Sequence, residues 1–313
     1  MDTATTGAGL PDFLVEDPVW AIDFAPNGTR VGLGDILTRK RYANTLEKIA
    51  KEGPGVFYTG AMAEATVRAL QQANGTMTVQ DLQNYTVAIR KTAEIAYRGY
   101  KLTSCSAPSG GIIALSALKI VSGYSDFGTP ANLNLSTHRL DEATRFAFAE
   151  RAHLGDPSFV PGLDRYQQEM LNDTTAANIR SRILDARTLN VSDYNPQGFE
   201  SLPTSGTSHV ATADAQGMAI TLASTVNLLF GSRLMVPETG VILNDEMNDF
   251  SVPGTSNAFG YVPSPANFVR PGKRPLSSIS PVIVEHLDNS SLYFVVGAAG
   301  GSRIITATVQ SLW

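Results

Sequence analysis

Cysteine is nearly absent from this chain. Cys105 is the sole example in 313 residues, so neither an intrachain disulfide nor a C-x-x-C metal or redox motif can form. It sits in a β-like stretch, KLTSC, and is expected to be a buried, inert thiol. Long hydrophobic runs are missing too. No stretch approaches the ~18 apolar residues of a membrane-spanning helix, and the opening MDTATTGAGL has neither the charged start nor the apolar centre of a signal peptide. Positive charge is scarce: a net charge of −5 leaves no basic excess to neutralise phosphates, so nucleic acid is not an expected partner. The one basic run, Arg39–Lys40–Arg41, reads as the solvated face of a helix. Histidine is limited to His138, His153, His209 and His286, none in a triad context. Ser208, in G-T-S-H-V, lacks the closing glycine of a nucleophile elbow, and Ser109, in P-S-G-G, does not match it either. H-E-x-x-H and Cys/His metal spacings are absent, so neither a metal nor a cofactor is expected. Gly32 and Gly34 make a G-x-G without the third glycine of a nucleotide fingerprint.

What is present is a globular composition, 43% hydrophobic and 17% charged, long enough for one large domain or two ordinary ones. Residues 19–24 alternate like a strand. Helical periodicity follows over 39–51, with Tyr42, Leu46 and Ile49 on one side and Gly53–Pro54 as the stop. Residues 60–73 read as a second helix, and Thr78 opens a third with Asp81 at a capping-box offset. Residues 93–105 read as strand and 112–121 as an apolar helix. The longest helix is 136–154: Leu140, Ala143, Ala147 and Phe148 line one face, with Asp141, Glu142, Arg145 and Glu150 away from it. Residues 164–184 are helical, and 190–205 read as an exposed linker. Beyond Thr207 the chain is mostly strand, with apolar runs at 280–287 and 291–297 before a last helix, RIITATVQSLW. A helix-rich first part and a strand-rich second part predict an α+β or layered-sandwich fold. Sequons at Asn27, Asn74, Asn84, Asn134, Asn172, Asn190 and Asn289 are dense enough to predict a secretory-pathway protein.

Residues 203–250 concentrate the polar chemistry. Asp214-Ala-Gln-Gly217 is good turn chemistry, with glycine available for positive φ. Pairing the flanking strands about Gln216 puts Thr207 opposite Thr225, and directly paired residues lie roughly 5 Å apart. Thr225 and Asn227 share a strand face because side chains alternate. Three polar groups therefore converge at one end of a hairpin, although threonine is common in strands and the pattern alone leaves that ordinary reading open. In the acidic run 244–249, Glu246 and Asp249 are three apart. They would share a face in a helical turn and could hold an ammonium group. A solvated turn is the plain alternative, and the spacing is not that of an EF-hand. Ser277 and Ser278 follow a Pro/Gly-rich loop, and adjacent hydroxyls can bind a carboxylate. Gly300 and Gly301 precede a helix start, where backbone N–H groups can form an oxyanion hole. An ordinary loop and a simple turn are the alternatives at those two places.

Taken in order, several motifs resemble the γ-glutamyltranspeptidase (glutathione hydrolase) family from about Gly53 to the end. They are GVFYTG, the APSGG run, HRLDEATRFAFAERAHLGDPSFV, GTSHV, the STVN step, GVILNDEMNDFS, PGKRPLSSISP and GAAGGSRIIT. The resemblance implies an N-terminal-nucleophile hydrolase with a four-layer αββα sandwich, incomplete in this chain. It implies self-cleavage before Thr207, with residues 1–206 as the large-subunit part and 207–313 as the small-subunit part. Threonine suits both steps. Its hydroxyl attacks the preceding carbonyl to give an ester, and hydrolysis frees an α-amine with a reference pKa near 8. That amine can act as general base without a histidine. By the same resemblance Thr207 attacks the γ-glutamyl carbonyl of glutathione or a related compound, and Thr225 orients it. Asn227, Glu246 and Asp249 bind the α-amino end, and Ser277 and Ser278 the α-carboxylate. Gly300 and Gly301 supply the oxyanion-hole N–H groups, and the acyl group passes to water or to an amino acid or dipeptide. Phe259 falls in the family's variable lid region and reads as a pocket wall.

Family members also carry an upstream segment with a membrane anchor or signal, and an arginine there that pairs with the substrate α-carboxylate. They continue beyond the helix that follows Gly301. The expectation is thus a truncated chain whose secretory-pathway address lies outside it. Two rival readings follow. One is a non-catalytic product of a truncated gene. The other is a cephalosporin or glutaryl acylase of the same superfamily, opposed by Glu246, Asp249, Ser277 and Ser278, which suit an amino-acid end that such substrates lack.

Overall fold

The computed structural model describes residues 12–199, 207–255 and 262–313. The chain divides into two compact units, one of Met1–Ala88 with Leu229–Asp245 and one of Ile89–Leu228 with Glu246–Trp313. Every predicted site residue falls in the second.

The first unit is helical: α1 (Phe13–Glu16), α2 (Pro18–Phe24), α3 (Lys40–Glu52), α4 (Gly55–Tyr58), α5 (Gly60–Gln72) and α6 (Val79–Gln83). The strand expected over 19–24 is instead α2. Asp17 caps it, its Oδ1 accepting the N–H groups of Val19 and Trp20, and Pro18 occupies the first helical position. That cap and pre-set φ outweigh a short alternation. Trp20 then packs edge-on against Phe13 and Phe230 beside Leu14, Phe24 and Met235. Along α3 the expected apolar stripe is incomplete. Leu46 is half exposed, while Thr45 is buried and donates to Thr239 O. The capping box of Thr78 and Asp81 forms as predicted.

In the second unit the stretch 93–105 is not one strand but a hairpin, β1 (Thr92–Tyr97) and β2 (Tyr100–Cys105). Arg98 and Gly99 both take positive φ, at 53° and 87°. This is the two-residue turn that suits strand twist, and Tyr97 pairs with Tyr100 across it. Next come α7 (Gly111–Val121), α8 (Leu133–Arg151), α9 (Leu163–Met170), α10 (Asp173–Arg180) and the turn α11 (Val191–Tyr194). The continuous helix expected over 164–184 is broken at Asn172, whose side chain caps α10. Strands β3 (Thr207–Ala213) and β4 (Ala219–Thr225) form a second hairpin; β5 (Val282–His286), β6 (Leu292–Val296) and α12 (Arg303–Leu312) complete the unit.

The four-stranded sheet runs β1-β2-β5-β6, all antiparallel. Its inner face, with Ile95, Leu102, Val282 and Val284, is sealed. α7 lies across β1 and β2 and is apolar nearly all round, because α8, α10 and α12 pack on its remaining sides. The β3–β4 sheet lies against β5 and β6. The fold is therefore α+β, with a helix layer, a sheet and a second sheet among the described residues. On α8, Leu140, Ala143 and Ala147 are buried as expected. Of the acidic residues expected to point away, Glu142 is buried and Glu150 half-buried. Glu142 accepts the Tyr194 hydroxyl, and Glu150 accepts that of Ser116 on α7. Burial pushes the Glu150 carboxyl up to about 7, against the Ser116 hydrogen bond that pulls it down. Of the linker expected at 190–205, residues 200–205 lie outside the described residues, and the part before them is anchored by the buried Tyr194.

Candidate active site

The β3–β4 hairpin forms in the predicted register. Asp214 Oδ1 accepts the N–H groups of Gln216 and Met218, and Gly217 turns at φ 84°. Counting back along the ladder, Thr207 pairs with Thr225. The Thr207 hydroxyl donates to Thr225 Oγ1 at 3.1 Å, and Thr225 Oγ1 also accepts the N–H of Asn227 at 2.8 Å. Thr225 is thereby fixed from two sides. Asn227 is buried at positive φ (71°), a conformation asparagine tolerates better than most residues. Gly206, on the other side of the expected scissile bond, lies outside the described residues, as does Phe259.

The inner face of the hairpin explains how this pair is held. His209 sits two residues along β3 and its Nε2 lies 2.7 Å from Thr221 Oγ1. The ring lies over Gly297, at the exit of β6. A Cβ there would meet the ring at 2.4 Å, so only glycine permits the approach. From Gly297 the chain runs directly to Gly300 (φ 127°) and Gly301 (φ 64°), which lead into α12.

The acidic residues and the serines occupy a second constellation. Glu246 and Asp249 open and close one 3-10 turn, where residues three apart stand one above the other. Asp249 is buried, and its carbonyl accepts from Asn267 Nδ2 at 2.6 Å; Asn267 Oδ1 in turn accepts the N–H of Leu276 at 3.2 Å. Asn267 thus ties the acidic turn to the serine loop. Ser277 donates its N–H to Pro108 O at 2.7 Å, and its hydroxyl accepts the N–H of Ile279. Ser278 is buried and accepts from Arg151 Nη2 at 3.2 Å. The guanidinium is itself buried at the end of α8; burial pulls its pKa down to about 10, while the charge of Asp249 pulls it up. Arg151, Asp249, Ser251, Ser264, Asn267 and Leu276 enclose a cavity of about 10 Å³, room for roughly one water.

Asp156 clamps the same loop from behind. It accepts the N–H of Arg274 at 2.9 Å and that of Ser158, and it pairs with Arg90 at 2.8 Å. Burial raises its pKa, but these donors outweigh it and the net shift is downward. Cys105, at the end of β2, is half-buried rather than buried as expected, and the burial of its thiol still pushes the pKa up. A larger cavity, about 640 Å³, lies by Arg90, Glu94, Asp164 and Gln167, and no predicted site residue lines it. Among the described residues no group of three or more His, Cys, Asp or Glu side chains is placed to hold a metal ion, and no helix is long and apolar enough to cross a membrane.

Arg151, Asn267, Asp156 and the packing role of His209 were not anticipated from the sequence. Arg151 did leave a signal. It continues the Ala143–Ala147 stripe at a spacing of four, so it falls on the buried face of its own helix.

A family model described as Gamma-glutamyltranspeptidase matches residues 4–313. The chain is 58% identical over 301 residues to a Glutathione hydrolase proenzyme of Arthroderma benhamiae, covering 96% of this chain and 51% of that protein. It is 50% identical over 302 residues to a Glutathione hydrolase of Aspergillus flavus, again covering 96% and 51%. Among solved structures, a cephalosporin acylase from Bacillus halodurans matches with a TM-score of 0.78 over 99% of this chain and 53% of that one; at 23% identity the likeness is one of fold. The chain spans about half the length of the curated relatives it matches. With the family model matched over residues 4–313, this chain belongs to the γ-glutamyltranspeptidase family.

Proposed function

We propose that the protein transfers γ-glutamyl groups from glutathione and related compounds through an ester on Thr207. The observation that carries this reading is the hydroxyl pair Thr207–Thr225 at the head of β3, in a chain 58% identical to a glutathione hydrolase proenzyme. Maturation cleaves the bond before Thr207 and separates residues 1–206 from 207–313. The Thr207 hydroxyl adds to the Gly206 carbonyl, the peptide C–N bond breaks, and water hydrolyses the resulting ester. The freed α-amine then takes the proton from Oγ1 in each turnover. Attack on the γ-carbonyl expels the donor's amine, which leaves with that proton. Water or the amine of an amino acid or dipeptide then breaks the ester.

Thr225 keeps Oγ1 of Thr207 in one orientation, and its own anchoring by the Asn227 N–H supports that role. Gly300 and Gly301 offer N–H groups to the oxyanion that forms at the carbonyl. Asn227, Glu246 and Asp249 hold the substrate's α-ammonium, for which a buried carboxylate in a one-turn pair is suited. Ser277 and Ser278 hold its α-carboxylate. A glutaryl donor has no ammonium to match Glu246 and Asp249, which favours γ-glutamyl donors over those of an acylase. The seven sequons support a secretory-pathway setting.

The test pairs a denaturing gel with release of a chromogenic amine from a γ-glutamyl anilide. The wild-type protein, expressed at its full natural length, gives two bands and activity; Thr207→Ala gives one band and none. Activity that survives in Thr207→Ala overturns the reading.

A further inference from the structure

Arg151 is the charged group on which the two halves of the pocket meet. It is 5% exposed, and a guanidinium can only donate hydrogen bonds. A charge so buried persists only with partners. One is the Ser278 hydroxyl, which accepts from Nη2 at 3.2 Å, and the field of Asp249 acts on the same group. The cavity beside it, about 10 Å³, leaves the guanidinium no room to swing out or to gain a hydration shell.

The consequence lies in the hydroxyl. Ser278 Oγ has one proton and two lone pairs. With a lone pair committed to a donor-only cation, its proton is left for an acceptor, and the adjacent charge polarises that O–H. An incoming anion is favoured there and an ammonium is repelled. Asp249, which lines the same cavity, carries the negative charge that suits the opposite end of an amino acid. The arginine and the carboxylate thus give the two ends of the pocket opposite preferences.

Resting on the site assignment above, we propose that Arg151 is a positioning residue of the donor subsite. It holds Ser278 Oγ as an acceptor, turns that hydroxyl's proton toward the substrate α-carboxylate, and so makes the enzyme select donors that carry one.

The test compares two chromogenic donors on the full-length processed enzyme, γ-glutamyl anilide and 4-aminobutyryl anilide, which lacks the α-carboxylate. Arg151→Met is expected to raise KM for the γ-glutamyl donor about tenfold or more, with a smaller change in kcat and little change in kcat/KM for the 4-aminobutyryl donor. Arg151→Lys, which keeps a charged donor, restores part of the discrimination. Thermal midpoint and extent of processing report folding. Should Arg151→Met fail to fold, Arg151→Lys and Ser278→Ala carry the test as a double-mutant cycle. Arg151→Lys then narrows the donor ratio in the wild type but not in the Ser278→Ala background. Equal losses on both donors, an unchanged ratio in Arg151→Lys, or additive effects with Ser278→Ala would each overturn the proposal. A wild-type enzyme that turns over both donors equally well would instead bring down the serine assignment beneath it.

Discussion

The two sheets of the second unit are built from similar residues and are treated very differently. In the four-stranded sheet, Leu102, Val282 and Val284 are no more than 2% exposed beneath α7. In the β3–β4 hairpin, Val210, Ile220 and Leu222 are each more than half exposed on the outer face. The hairpin's inner face carries Thr207, His209, Thr221 and Thr225, mutually hydrogen-bonded and half-buried. A two-stranded hairpin is marginal on its own, so this one depends on β5 and β6 for support. The difference teaches a division of labour: the covered sheet supplies stability, while the hairpin supplies a geometry stabilised by polar contacts and one close approach.

The largest effect that tests this division is on chemistry. Thr207→Ala should lower turnover by more than about a thousandfold and leave the thermal midpoint close to that of the uncleaved wild-type precursor, from which it differs by only one half-buried hydroxyl. A collapse of the midpoint would show that the hairpin is a stability element after all. The largest stability effect belongs to the other side. Leu118→Ala, at a fully buried position of α7, should cost about 2–5 kcal/mol by denaturant unfolding. Activity of the fraction that remains folded should be preserved.

The same contrast explains what the sequence could reveal. Thr207 opposite Thr225 was legible because a hairpin register follows from its turn, and Asp214 and Gly217 fix that turn. The apolar α7 and the final helix were legible from composition and punctuation. The inward turn of Glu142 and Glu150 was not, because the polar partners that permit it come from Tyr194 and Ser116, 52 and 34 residues away. α2 was misread because a capping side chain decided it, not periodicity. The roles of Arg151 and Asn267 depend on loops meeting in space, at sequence separations of 127 and 18 residues. Local pattern holds no record of such meetings.

Smaller effects sharpen the boundary between the two sheets. Gly297→Ala would drive a methyl into the His209 ring and break its contact with Thr221. Overpacking of this kind costs about 1–3 kcal/mol, and the shift passes to the loop bearing Gly300 and Gly301. The expected result is a fall in kcat of about tenfold with KM little changed. Removing the ring should relieve the clash, so Gly297→Ala with His209→Ala should be more stable than Gly297→Ala alone. If the double variant is the less stable one, the ring is not what the methyl meets.

The helix layer carries a pH dependence of its own. The Glu150 carboxyl is raised from 4.5 to about 7 by burial. Below about 4.5 it is protonated in the folded and unfolded chains alike and burial carries no charge penalty. Between about 4.5 and 7 the folded chain keeps a proton that the unfolded chain has lost, so stability falls as pH rises through that window. Glu150→Gln should remove this slope, making the variant the more stable at pH 8 and equal to wild type near pH 4 in thermal unfolding. A slope unchanged by the substitution would assign the titration to another group.

The smallest expected effect falls on the outer face of the hairpin. Leu222 is 57% exposed and pairs across the ladder with Val210, itself 58% exposed. Leu222→Ser removes apolar surface that is mostly in water already, so in this 313-residue chain unfolding should shift by no more than about 0.5 kcal/mol. The inner face is less tolerant where Thr207, His209, Thr221 and Thr225 are held by hydrogen bonds. The two faces of one hairpin thus respond to substitution as differently as the two sheets do. A cost of about 2 kcal/mol or more for Leu222→Ser would mean that this face is covered, and the contrast between the two sheets would then fail.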